Sequence, residues 1–175
     1  MGQTGMEYLI RFEAERCIQC HGCETACKSW RGLEPGVRYR RVFNIWHGQY
    51  PLITSSSLSL SCLHCVEPSC AAACPEGAIF KEPEYGMVHV DEAACSGCGV
   101  CVEACGYGVP QITGDGVMRK CDVCIDHEAA GEAIEVPPCV DTCPGTALIL
   151  ERVDRSEKVR HERLIQKLYG ETRSV

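Results

Sequence analysis

Nowhere in its 175 residues does the chain hold an apolar run near the roughly 20 residues of a membrane-spanning helix, which excludes a direct membrane span. The opening stretch MGQTGMEYLIRFEAERC has no apolar run longer than Tyr-Leu-Ile and no small-residue cleavage site, so it reads as a chain without an export signal of its own. Positive charge is scarce as well. With 17 Lys and Arg against 24 Asp and Glu the formal charge is −7, and Arg38-Tyr39-Arg40-Arg41 is the only dense basic run, which argues against nucleic acid as a partner. Aromatic residues are few: three Phe, two Trp and six Tyr make a lean core for this length. Something other than apolar packing must help hold the chain together.

That something is cysteine. Sixteen are present, a content that in a short secreted protein points to a disulfide scaffold. A chain made in a reducing cytosol keeps its thiols for metal or for catalysis instead. The sixteen fall into four quartets with none left over. Cys17, Cys20, Cys23 and Cys27 are spaced C-x2-C-x2-C-x3-C, and Cys95, Cys98, Cys101 and Cys105 repeat that spacing. Cys62, Cys65, Cys70 and Cys74 follow C-x2-C-x4-C-x3-C, and Cys121, Cys124, Cys139 and Cys143 follow C-x2-C-x14-C-x3-C.

Thiolates two residues apart let a short loop wrap three corners of an iron–sulfur cubane. The next cysteine, three residues on, lies on an outgoing turn and points to a neighbouring cluster, as in two-cluster bacterial ferredoxins. Four quartets then hold four [4Fe–4S] clusters by exchanging last ligands in pairs. Zinc is the main rival, but its sites pair two C-x2-C knuckles, and a further thiol three residues on is surplus for a tetrahedral ion. No C-x3-C-x2-C triplet of the radical-SAM kind occurs. Gly106–Gln111 (GYGVPQ) has two of the three glycines of a dinucleotide fingerprint and no strand-to-helix setting, so no NAD or FAD is expected.

Between the second and third quartets, Ala78–Lys81 and Met87–Val90 read as short strands around a turn at Pro83–Gly86. This hairpin pairs the second quartet with the third: Cys62, Cys65 and Cys70 with Cys105, and Cys95, Cys98 and Cys101 with Cys74. The first and fourth are left to pair, with EYLIRF before Cys17 and TALILERV after Cys143 as partner strands, Tyr8, Ile10 and Phe12 alternating in the first. Cys17, Cys20 and Cys23 then take Cys143, while Cys121, Cys124 and Cys139 take Cys27. Spacing alone also admits the pairing of first with second and third with fourth, because GYGVPQITGDGVMRK is itself a candidate hairpin.

The stretches CIQCHGCETACKSW, YRRVFNIWHGQYP, LSLSCLHCVEPSC, CPEGAIF, CSGCGVCVEACGYGVPQ, KCDVC and PPCVDTCPGTAL carry a resemblance. Over residues 7 to about 150 the chain resembles the four-cluster, ferredoxin-like β subunit of the dimethyl sulfoxide reductase family of molybdopterin oxidoreductases. The resemblance supports pairing first with fourth and second with third. It implies a large catalytic partner carrying a molybdenum or tungsten bis-pterin, and often a quinone-reactive membrane anchor or other redox protein. It also implies cytoplasmic synthesis, with export, if any, on the partner's twin-arginine signal. The family usually reads C-P-Y-G where this chain has Cys105-Gly106-Tyr107-Gly108. A glycine there adds a donor and backbone freedom, and hydrogen bonds near sulfur tune a cluster's potential.

The expected fold is α+β: two interleaved ferredoxin-like modules of short hairpins and helices around four clusters. The outer module takes residues 1–57 and 113–152, with an insertion at 28–57; the inner takes 58–112; 153–175 form a helical tail. A globule of this length has a radius of gyration of about 16 Å, so four clusters across it lie on the order of 10 Å apart. His64 in CLHC reads either as a donor to cluster sulfur or as a packed loop histidine; His21 has the weaker case. The insertion, with Trp30, Tyr39, Trp46, Tyr50 and Arg38, Arg40 and Arg41, is a candidate interface for the catalytic subunit. Residues 154–170 read as a helix capped by Asp154 or Ser156, ended by Gly170, with Leu164, Ile165, Leu168 and Tyr169 as its apolar stripe. No nucleophile–base pair stands in a recognisable context, so the expected function is non-catalytic electron transfer. An accessory polyferredoxin of a formate dehydrogenase or hydrogenase system is the alternative.

Overall fold

In the computed structural model residues 6–124 and 135–173 are described; the first five residues, part of the stretch read for an export signal, lie outside them. Strand β1 (Glu7–Phe12) leads through a 3-10 turn (Ala14–Arg16) to helix α1 (Gly22–Trp30). Next come β2 (Arg41–Gln49), β3 (Leu52–Leu60), α2 (Ser69–Ala72), β4 (Ile79–Lys81), β5 (Val88–Val90) and α3 (Val100–Ala104). The chain ends with β6 (Gln111–Ile112), β7 (Met118–Arg119), α4 (Pro138–Asp141), β8 (Leu148–Val153) and α5 (Arg155–Thr172).

The strands form four antiparallel pairs: β1 with β8, β2 with β3, β4 with β5 and β6 with β7. The longest closure joins the two ends of the chain, with Glu7 opposite Val153 and Phe12 opposite Leu148. The expected β4–β5 hairpin is present, its turn closed by Glu82 N–H donating to Met87 O at 2.7 Å. GYGVPQITGDGVMRK does form a hairpin, β6–β7, but with only two residues per strand.

In β1 the buried residues are Leu9 and Phe12, rather than the alternating set Tyr8, Ile10 and Phe12. The strand is covered on both faces. Leu9 and Phe12 face the interior, while Tyr8 leans on Tyr85 of the β4–β5 turn, ring centroids 5.5 Å apart. Strand β3 divides its roles by the period of two. Leu58 and Leu60 enter the core, while Ser57 and Ser59 line the opposite, equally buried face, continued by Ser61.

Two apolar clusters form the core, and cysteines belong to both. Phe12, Ile45, Leu58, Leu60, Leu148 and Ile165 pack with Cys23, Cys27, Cys121 and Cys139. Ile79, Val88 and Met118 pack with Cys101. Within the insertion the structure separates residues the sequence groups together. Tyr39 and Arg40 are buried, whereas Trp46, Tyr50, Leu52 and Ile53 stand exposed about the β2–β3 turn.

The tail helix is capped as expected, Asp154 Oδ1 accepting from Glu157 N–H at 2.9 Å. Gly170 lies within it instead of ending it, and Leu164 is 47% exposed. The face it buries is Lys158, His161 and Ile165, spaced three and four apart. His161 Nε2 accepts from Phe12 N–H at 3.3 Å. Lys158 Nζ reaches Glu7 Oε2 at 2.7 Å, and Lys81 Nζ reaches the same oxygen at 2.8 Å. Glu7 thereby ties the first strand, the β4–β5 hairpin and the tail helix at one point.

Candidate metal centres

Each quartet begins with the same backbone device. The second residue after the first cysteine is left-handed in all four: Gln19 at φ 58°, His64 at 48°, Gly97 at 68° and Val123 at 63°. For a β-branched residue such as Val123 this conformation is strained and persists only where the surroundings hold it. The turn aims backbone N–H groups at sulfur: His64 N–H donates to Cys62 Sγ at 3.5 Å and Val123 N–H to Cys121 Sγ at 3.4 Å. Met118 N–H does the same for Cys95 at 3.5 Å, and Ala147 N–H for Cys143 at 3.2 Å. Of the four left-handed residues only Gly97 is a glycine, and there a Cβ would collide with the backbone oxygen of Gly116.

Helices then distribute the thiols. Cys23 and Cys27 lie one turn apart on α1, which packs on α4 carrying Cys139. The cavities gather cysteines from different quartets. Cys17, Cys20, Cys23 and Cys143 line one cavity together with Phe12 and Leu148. Cys27 lies in the core with Cys121 and Cys139, and its electrostatic neighbours are Cys139 and Cys124. The same exchange relates α2 and α3, which pack together. Cys62, Cys65, Cys70 and Cys105 line a second cavity, and Cys74, Cys95, Cys98 and Cys101 a third.

The donor chemistry fits iron–sulfur clusters. Four thiols line each of three cavities, with His21 also at the first and Glu76 at the third. Among the described residues no three His, Cys, Asp or Glu side chains converge on one ion's position. Two surface hollows, one by Arg31, Glu92, Asp115 and Arg119 and the other by Glu24, Lys28 and Arg38, have no cysteine among their described lining residues and no thiol chemistry to offer. Burial pushes Cys27 and Cys65 up to about 12 and Cys70 to about 11, and raises Cys23, Cys101, Cys121 and Cys124. Such thiols keep their protons until a metal displaces them, so loading releases protons. Exposure varies between sets: Cys20 and Cys98 are at the surface, while Cys27, Cys121, Cys124 and Cys139 are all buried.

His64 is packed in the interior, its buried Nε2 without a hydrogen-bond partner among the described residues. Its ring is buried, and Nδ1 accepts from Val88 N–H at 2.9 Å, which leaves the proton on Nε2. Burial first, then Lys120 and Lys158, hold its pKa well below 6.5, so the ring stays neutral. Only its main-chain N–H reaches sulfur. His21 Nδ1 faces Glu24 Oε2 at 3.0 Å, not a thiol.

Three cations lie close to the thiols; sequence reading passed over Arg31 and Lys120 and set Arg40 at an interface, where the structure buries it. Arg31 pairs with Asp122 and donates to Cys124 Sγ at 3.5 Å. Buried Lys120 lines the cavity of Cys62, Cys65, Cys70 and Cys105 and donates to Val88 O and to Cys121 O, the latter at 3.2 Å. Arg40 is buried with its fork on Ser59 Oγ at 3.1 Å and Ser61 Oγ at 2.9 Å. The available hint was the Ser-Leu-Ser-Leu-Ser alternation of 57–61, which sets a polar face inside a buried strand.

Comparison with known proteins agrees with this chemistry. A 4Fe-4S dicluster domain model matches residues 53–153 and a 4Fe-4S binding domain model residues 14–30. The protein is 38% identical over 164 residues to one of the chains of the anaerobic dimethyl sulfoxide reductase of Escherichia coli (strain K12), covering 87% of its own length and 77% of that relative. It is 36% identical over 150 residues to one of the subunits of the sulfite dehydrogenase of Allochromatium vinosum, covering 75% and 62%. With the formate dehydrogenase iron-sulfur subunit of Wolinella succinogenes the identity is 32% over 175 aligned positions, covering 89% and 86%.

Proposed function

Because this chain belongs to the 4Fe-4S dicluster family of iron–sulfur subunits of molybdopterin oxidoreductases, we propose that it relays electrons through four [4Fe–4S] clusters to or from a molybdopterin-binding catalytic subunit. The ligand sets are Cys17, Cys20, Cys23 and Cys143; Cys27, Cys121, Cys124 and Cys139; Cys62, Cys65, Cys70 and Cys105; and Cys74, Cys95, Cys98 and Cys101. The observation that carries this reading is the crossed gathering of cysteines: three of the four sets each line their own cavity. The outer module is then 1–57 with 113–152, the inner 58–112, and 153–175 the tail.

Bound clusters supply reversible one-electron chemistry. The chain's own work is to hold and insulate. Thiols fix the positions, left-handed turns bring N–H dipoles to sulfur, and Leu58, Leu148, Val88 and Met118 keep water out. The sets containing Cys20 and Cys98 reach the surface and form the two ends of the relay; the more buried sets lie between. One end faces the catalytic subunit and the other a second redox partner, such as a quinone-reactive membrane subunit. Trp46, Tyr50, Leu52 and Ile53, exposed at the β2–β3 turn, form the docking patch for the catalytic subunit. The substrate belongs to that partner. Among the described residues no helix is long and apolar enough to cross a membrane.

Iron and acid-labile sulfide analysis of the anaerobically purified chain tests the reading. About sixteen irons per chain, with clusters that reduce and reoxidise, is the expected result. Stoichiometric zinc without charge-transfer absorption overturns it.

A further inference from the structure

Arg40 is the least expected residue in the interior. Its side chain is 3% exposed, and its guanidinium is held by two neutral hydroxyls, Ser59 Oγ and Ser61 Oγ. Its Nε has no hydrogen-bond partner, and among the described residues no carboxylate pairs with it. A buried charge without a counter-ion is strongly disfavoured, and here the fold commits two buried serines, Ser59 and Ser61, to keeping the group in place.

The surroundings explain the arrangement. Ser59, which holds one side of the fork, lines the cavity of Cys17, Cys20, Cys23 and Cys143, and its Oγ lies 3.5 Å from Cys23 Sγ. Cys27, Cys121 and Cys139 also lie within the electrostatic reach of Arg40. The charges acting on Arg40 come from Cys139, Cys121, Cys23 and Cys27, members of both outer sets. A cubane with four thiolates is anionic as a unit, and more so with an added electron.

We infer that Arg40 is a fixed counter-charge shared by the two clusters of the outer module, stabilising the reduced form of both at once. The inference rests on the four-cluster reading above. It makes Arg40 a tuning residue: it touches neither iron nor substrate, and it acts through the field it imposes on two neighbouring centres. Held by serines instead of a carboxylate, the guanidinium keeps its full charge for the clusters. An opposite charge close to a buried ionising group is worth about 1–3 pKa units, and the same field acts on an added electron.

The test is a redox titration of the iron-loaded full chain, followed by electron paramagnetic resonance, for the parent, Arg40→Gln and Arg40→Lys. Iron content is measured first, so that failure of the four-cluster reading shows in the parent as missing iron. With full iron, Arg40→Gln is expected to lower two of the four midpoints together, each by about tenfold in its reduction equilibrium constant, or about 59 mV for one electron. The other two midpoints hold, and Arg40→Lys, which keeps the charge, restores most of the shift. No shift, a shift in one cluster alone, or an equal fall in all four overturns the inference. Should Arg40→Gln fail to load, Ser59→Ala with Ser61→Ala decides. That variant removes the hydrogen bonds and keeps the charge, so both outer midpoints should stay within threefold of the parent; a tenfold fall assigns the tuning to the hydroxyls and refutes Arg40.

Discussion

Replacing Glu7 by glutamine preserves the side chain's shape and removes the one charge that joins three elements. Lys158 and Lys81 both point at its Oε2, and Lys158 is 0% exposed. Burial alone would raise the carboxyl's pKa, yet the two ammonium groups hold it below the ordinary 4.5. In Glu7→Gln the buried Lys158 must either stay charged without a counter-ion or give up its proton. Burial already draws its pKa below 10.5. From that ordinary value, deprotonation at pH 7.5 sets a ceiling of about 4 kcal/mol, and breaking a buried pair from one side typically costs about 3–5 kcal/mol. A loss of about 3 kcal/mol is therefore expected, or roughly 10 °C in Tm for a chain of this size. Lys158→Met removes the other partner. It leaves Glu7 paired with Lys81 and fills the space with an apolar side chain, so the change should stay within about 1 kcal/mol. Thermal unfolding of the iron-loaded protein, followed by loss of cluster absorption, compares the two variants. If Glu7→Gln is as mild as Lys158→Met, or Lys158→Met as damaging as Glu7→Gln, the latch reasoning is wrong.

The crossed ligand sets predict an iron count for paired variants. Cys27→Ser with Cys124→Ser strikes one cluster and should cost about four irons, whereas Cys27→Ser with Cys20→Ser strikes two and should cost about eight; the reverse order would restore pairing by quartet. His161 predicts a pH dependence. Burial first, then Arg11 and Lys158, lower it from 6.5 to about 4, so the folded chain resists a proton that the unfolded chain accepts. Its contribution is complete above pH 6.5 and is lost as pH falls toward 4, by at most about 3 kcal/mol. His161→Gln, which can still accept from Phe12 N–H, should lose about 1 kcal/mol less than the parent between pH 7.5 and 5.5; parallel losses would sink the assignment.

Much of the site was legible because cluster binding is a local demand. A loop that wraps a cubane needs thiols at short fixed intervals, so closely spaced cysteines declare 4Fe-4S binding whatever surrounds them. The β1–β8 closure and the β4–β5 hairpin were readable for a similar reason, since short apolar strands sat directly beside the cysteine loops. The tail helix was readable from Asp154, but its buried face was not. An apolar stripe predicts Leu164 inward, whereas Lys158 and His161 go in because Glu7 and the Phe12 N–H offer them partners.

By itself, then, the sequence set out the chemistry: cysteines in quartets at the spacing that 4Fe-4S binding demands. Spacing along the chain carries that information because it limits which sulfurs one short loop can present. Tertiary structure decided what spacing leaves open. It brought α1 against α4 so that Cys23 and Cys27 serve different spaces, turned Tyr39 and Arg40 inward while Trp46 and Tyr50 stayed out, and set a guanidinium among serines between two sets of thiols. A charge there depends on partners that the fold brings to it, hydroxyls on a neighbouring strand and its end, and nothing in the sequence around Arg40 records their arrival.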